Sequence, residues 1–168
     1  MKKTLLVLIL GIVLLAAFGT EVKAQIPREG ASSQTWAYSG TFKALPMGQE
    51  RVQMNYETMG VVIGDTNEDL SHNASFRCLG ALHTVKGEYN ESGFCVWTRP
   101  DGDQIFGTYK GTGRLGSGGK GSTAIVGGTG KLVGIQGNGE YTNFVTLRPA
   151  AEGTFQGYNR VKGQYKLP

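Results

Sequence analysis

From about residue 34 to residue 165 apolar and polar side chains repeatedly change places one for one, and this two-residue period most narrows what the chain can become. Trp36, Tyr38 and Phe42, with Gly40 among them, fall on one side of a first strand, opposite Thr35, Ser39, Thr41 and Lys43. Val52, Met54 and Tyr56 alternate with Arg51, Gln53, Asn55 and Glu57 in a second. Near Met59-Gly60-Val61 the alternation slips, which predicts a bulge where the strand bends. Further strands are predicted over about 72–85, 94–98, 104–114, 122–126, 140–147 and 154–165. Turn chemistry separates them at Asn90-Glu91-Ser92-Gly93, Pro100-Asp101-Gly102-Asp103, Gly116-Ser117-Gly118-Gly119 and from Pro149 onward. The single helical piece the pattern allows is a turn around Lys131-Leu132-Val133.

Eight short strands with no helix to cover an edge favour closure into an antiparallel barrel, because closure removes the unpaired edges. A two-sheet sandwich is the alternative. Gly40, Gly60, Gly80, Gly107, Gly111, Gly157 and Gly163 lie inside predicted strands, where glycine suits the tight bends of barrel corners. A barrel of about eight strands is filled by side chains or holds one small ligand.

The first residues read as an address. Met1-Lys2-Lys3 is a basic start, residues 5–18 are apolar and uncharged, and Val22-Lys23-Ala24 precedes Gln25. This is the order of a secretory signal cut after Ala24, and 14 apolar residues fall short of the ~20 needed to cross a bilayer. The expected organisation is a signal peptide over 1–24, a flexible lead-in over 25–33 and one domain over 34–168. The product is exported, periplasmic or extracellular, with no membrane span in the mature chain. Of the 17 basic and 13 acidic residues, the signal removes Lys2, Lys3 and Lys23 against Glu21, which leaves net +2. Lys110, Arg114, Lys120 and Lys131 are scattered through Gly-rich stretches, so no basic stripe and no nucleic-acid partner is expected. In an exported chain Cys78 and Cys95 are read as a structural disulfide, since a hairpin turn near Lys86-Gly87 sets them opposite each other.

Several chemical motifs fail on inspection. Gly127-Gly128-Thr129-Gly130-Lys131 lacks the spacing and the Ser/Thr of a phosphate-binding loop, because Leu132 follows Lys131. No Gly-x-Ser-x-Gly elbow occurs. His72 and His83, eleven apart on one predicted strand, face opposite ways and make no shared metal site. Asp101 and Asp103 offer too few oxygens for Ca²⁺ and suit hairpin-turn chemistry. Neither a metal nor a cofactor is expected.

The stretch 125–137, Ile-Val-Gly-Gly-Thr-Gly-Lys-Leu-Val-Gly-Ile-Gln-Gly, resembles a segment of the allene oxide cyclase-like and dirigent-like barrels, where a strand enters a Gly-Gly-Thr-Gly turn, an apolar turn and then Gly. Cys78 with Gly80, Gly93-Phe94-Cys95 and Asp101-Gly102-Asp103-Gln104-Ile105-Phe106 are similar to exported bacterial members of that calycin-like superfamily. The resemblance implies an all-β, eight-stranded antiparallel calycin-like barrel. Plant enzymes of the superfamily steer cyclisation or radical coupling of apolar substrates, but no catalytic residue of theirs maps onto this chain. Tyr38, Met54, Tyr56, Phe76, Trp97 and Tyr109 are therefore the candidate barrel lining, as packed core or as ligand wall. Glu57 and Arg77 fall outside by alternation. The expected function is non-catalytic binding of a small apolar or amphipathic molecule, or a structural role. The alternative is a cofactor-free cyclase or isomerase working by orientation. Assembly into a homo-oligomer through strand faces is a further expectation, with Val61-Val62-Ile63 as its apolar run.

Overall fold

The computed structural model describes residues 26–146 and 148–168. The segment read as a signal peptide lies outside the described residues. Eight antiparallel strands close into a barrel in sequence order: β1 (Glu29–Pro46), β2 (Arg51–Gly64), β3 (Ser75–Val85), β4 (Glu88–Thr98), β5 (Gln104–Arg114), β6 (Gly118–Gly128), β7 (Gln136–Val145) and β8 (Thr154–Lys166). The seam is β1 against β8, in register from Glu29 opposite Lys166 to Thr41 opposite Thr154. The sandwich alternative is thereby excluded. The lead-in expected over 25–33 is shorter than that, because residues 29–33 already belong to β1 and pair with β8.

Two local expectations fail. β2 runs without a bulge from Arg51 to Gly64, in unbroken register with β1 and β3. The apparent slip at Met59-Gly60-Val61 arises because Met59, Val61 and Ile63 point outward although they are apolar; each is half exposed. The register shift falls instead between Phe106 and Gly107 on β5, opposite β6. The predicted turn at Asn90–Gly93 is also absent. Those residues are the middle of β4, and the hairpin turns earlier, at Lys86 and Gly87, which both adopt positive φ of 55° and 82°. At Met59–Val61 an apolar outer face imitates a break in the strand, and at Asn90–Gly93 a polar residue and a glycine on the inner face do so.

Six of the strand glycines make room for aromatic side chains. An added Cβ would meet the ring of Phe155 at Gly40, of Phe76 at Gly60, of Tyr109 and Tyr56 at Gly80, of Trp97 at Gly107, of Tyr141 at Gly111 and of Tyr38 at Gly157. Each of these glycines leaves room for an aromatic side chain from another strand, so large side chains lie along the wall.

The two ends of the barrel differ. One carries the connections 65–74, 99–103 and 129–135, and the first and last of these fold inward. A short 3-10 turn, η1 (Gly130–Leu132), stands where the helical turn was expected, and Leu132 and Ile135 are almost wholly buried. Beneath them Trp36 packs on Trp97 at 5.1 Å and on Phe76 at 6.1 Å between ring centres. The buried polar group here, Gln34, is satisfied: its amide donates to Asp69 and to Ser71 Oγ (2.9 Å), and its carbonyl accepts from Trp36 Nε1 (2.7 Å). His72 sits in the connection before β3, where its Nδ1 accepts from the Gly64 N–H at 3.2 Å. At the opposite end three of the four connections, 47–50, 86–87 and 115–117, are tight turns, and the end is left open.

Asp101 and Asp103 belong to the closed end as turn-holders. Asp101 accepts from Arg99 Nε (3.2 Å) and from Lys131 Nζ (3.1 Å), and Asp103 Oδ2 accepts from the Lys131 N–H (3.1 Å). Those donors, Arg99 first, hold the Asp101 carboxyl at about 2, below its ordinary 3.8. The stretch that imitates a phosphate loop is thus fastened to a neighbouring hairpin. Among the described residues no helix is long and apolar enough to cross a membrane.

Candidate functional site

The open half of the barrel contains a cavity of about 270 Å³. The period-two pattern puts it there: inward positions on β1, β2, β4, β5, β7 and β8 supply Tyr38, Tyr56, Tyr89, Tyr109, Tyr141 and Phe155. Cys78 and Cys95 face each other across β3 and β4 and are joined as a disulfide, with Cα atoms 4.1 Å apart, in the cavity wall. Trp36 and Phe76 border the floor, and Phe42, Leu115 and Val145 the mouth.

Of the lining expected from sequence, Tyr38, Met54, Tyr56, Phe76 and Tyr109 border this cavity. Trp97 does not. It lies deeper, with Ile105 and Val161 in the packed closed end. Glu57 and Arg77 are outside and paired with each other, as alternation requires.

The polar centre of the cavity is a residue the sequence reading assigned to a turn. Glu91 sits in the middle of β4 and points inward. Tyr56 Oη donates to Glu91 Oε2 at 2.6 Å, and Tyr141 Oη donates to Oε1 at 2.8 Å. Tyr109 Oη donates in turn to Tyr56 Oη at 2.7 Å. A second cluster lies nearby, where Asn143 Nδ2 donates to Tyr38 Oη and to Asn159 Oδ1, both at 2.7 Å. The signal that finds Glu91 was available: Tyr89, Glu91, Gly93, Cys95 and Trp97 keep one phase through β4.

Glycine makes room for this network. The hydroxyl of Tyr109 occupies the space over Gly80 and Gly93, and that of Tyr141 the space over Gly111. Burial pushes the phenols of Tyr56, Tyr141, Tyr109 and Tyr89 upward, and the Glu91 charge adds to the shift in each. Tyr38 is also raised by burial, against the opposing hydrogen bond from Asn143. The phenols therefore stay neutral and able to donate, while Glu91 is an acceptor. Chemically the arrangement can solvate one polar group inside an apolar chamber, or pass a proton between a carboxyl and a phenol.

The outer wall carries two further features. Met59, Val61, Ile63, Leu79, Phe94 and Val96 are exposed apolar residues on the outside of β2, β3 and β4, with Leu79 directly opposite Phe94 and the Glu57–Arg77 ion pair between the β2 residues and the rest. Val62, between Val61 and Ile63, is fully buried and does not belong to it. On the other side the ladder lays Lys110, Lys120, Arg160 and Lys162 around Glu140, where the sequence had suggested scatter.

No family model matches the chain, and no curated protein sequence matches it. Among solved structures it is similar to a pterocarpan synthase dirigent protein, with a TM-score of 0.51 and 12% identity over 84% of this chain and 88% of that one. At that identity the likeness concerns the fold: a dirigent-like, closed eight-stranded barrel.

Proposed function

We propose that this is an exported barrel that binds one small apolar or amphipathic molecule in the Glu91 cavity without transforming it. The observation that carries the reading is the chamber itself: aromatic walls with a few polar groups, most of them gathered in the Glu91 and Asn143 clusters. Its size, about 270 Å³, lies at the small edge of ligand pockets, so the occupant is fragment-sized. The dirigent-like fold supports a binding or structural role. Export is supported by the apolar stretch of residues 5–18 and by the Cys78–Cys95 disulfide. Native mass spectrometry of protein recovered from its own host tests both parts. The expected species starts at Gln25 and carries one small-molecule adduct, which a cavity-filling Met54→Trp variant of unchanged circular dichroism lacks. An adduct retained equally by that variant, or an intact Met1 terminus, would count against the respective part.

A cofactor-free cyclase or isomerase is the second reading. One observation favours it: Glu91 and its two phenols make a ready acid–base set within an aromatic chamber. Incubation with a bound compound decides between the two. Catalysis requires a new product that the Glu91→Gln variant does not form.

A further inference from the structure

We propose that the molecule held in this cavity is an organic cation, a protonated primary amine on an apolar body, with its ammonium group against Glu91. The proposal rests on the binding reading above and specifies its ligand class. Glu91 is the one acidic side chain in the lining, and among the described residues no Lys, Arg or His nitrogen lies within ion-pair distance of it. The one basic side chain in the lining, Arg114, is at the mouth and engaged with Glu88 at 2.8 Å. Glu91 is half-buried. On the outer side of the wall it borders the groove of Lys110 and Lys120, but inside the cavity the groups that meet its carboxylate are neutral, and two phenols compensate it in part. Each oxygen accepts one hydrogen bond from tyrosine, so each keeps acceptor capacity for a further donor. An ammonium group brings three donors and the missing positive charge.

The walls favour the same ligand. The rings of Tyr38, Tyr56, Tyr89, Tyr109, Tyr141 and Phe155 surround the carboxylate, and Phe155 packs edge-on against Tyr56 at 6.1 Å and Tyr38 at 6.0 Å. Aromatic faces around a cation add attraction that a neutral hydroxyl does not receive. An anionic ligand meets the opposite conditions. The donors of Tyr56 and Tyr141 are turned to Glu91, that of Tyr109 to Tyr56, and those of Asn143 Nδ2 to Tyr38 and Asn159.

Isothermal titration with three compounds of one shape tests this: phenylbutylamine, phenylbutanol and phenylbutanoate, at neutral pH and low salt. The amine is expected to bind about tenfold or more tighter than the alcohol, and the carboxylate weakest. In Glu91→Gln the amine's advantage disappears while the alcohol's affinity changes by less than about threefold. The ranking in the unaltered protein is a complete test if that variant does not fold. Equal or tighter binding of the alcohol overturns the cation assignment and leaves the apolar cavity reading standing. If none of the three binds, the cavity reading falls and takes this proposal with it.

Discussion

An aromatic ring can lie flat against the inside of a small barrel only where the facing residue has no side chain. Gly111 is one such position, since a methyl there would run into the Tyr141 hydroxyl and stand 3.0 Å from Glu91 Oε1. Gly111→Ala is expected to destabilise the fold by about 1–3 kcal/mol, the usual cost of overpacking. Tyr141→Phe removes the atom in the way, so the double variant should lose less than the two single losses added together. Urea unfolding of the four proteins measures the coupling, and strict additivity would contradict it. The tyrosines also set a pH limit. Tyr38, Tyr56, Tyr89, Tyr109, Tyr141 and Tyr165 all titrate above the free value of 10.0, chiefly through burial. Their folded values exceed the unfolded one, so this contribution to stability is complete below pH 10.0 and is lost as pH rises through the folded values. Phenolate absorbance should therefore rise for these residues together with loss of near-ultraviolet circular dichroism. Complete ionisation with the fold intact would refute the burial. Tyr38, Tyr56 and Tyr109 were legible as inward residues, whereas Glu91 was not, because Asn-Glu-Ser-Gly has the composition of a turn.

At the level of the hairpin, β3 and β4 are fixed twice. The turn at Lys86-Gly87 sets the register, and the disulfide links Cys78 to Cys95 seventeen residues apart in sequence. A closed loop of this length is worth about 3 kcal/mol through the unfolded chain. Reduction, or the Cys78→Ala/Cys95→Ala pair, should lower the urea midpoint by a corresponding amount without changing the β-type circular dichroism. An unaltered midpoint would mean the ladder alone holds the hairpin. The strands were readable where one face is apolar and the other polar, as in residues 51–57 of β2. They were misread where the outer face is apolar as well. A basic face could not be read at all: Lys120 and Arg160 share it because both pair with Thr142, and Lys110 and Lys162 because Ser122 and Glu140 pair between them.

Taken whole, the molecule is a tube with one stopper. Leu70, Ala74, Leu132 and Ile135 close one end over the tryptophans, while Phe42, Leu115 and Val145 rim the other. Hydrogen exchange should follow this division. Amides of Val62 and Ala74, bonded to Ala74 and Ser71 carbonyls at 2.8 and 2.9 Å, are expected among the slowest, and those of residues 48–50 and 151–153 among the fastest. Uniform exchange at both ends would remove the distinction. The closure of eight strands was legible from their number and from the lack of helices to cover edges. Which end is stoppered was not, because that depends on connections such as 65–74, whose few apolar residues stand among polar ones.

Both tryptophans of the chain lie at the stoppered end, and one of them, Trp36, also forms the cavity floor. The protein thus carries its own optical depth gauge. A guest held near the mouth leaves the indole emission as it was, and one that descends to the floor changes the surroundings of Trp36. How far a compound travels down the shaft can be followed without attaching a dye.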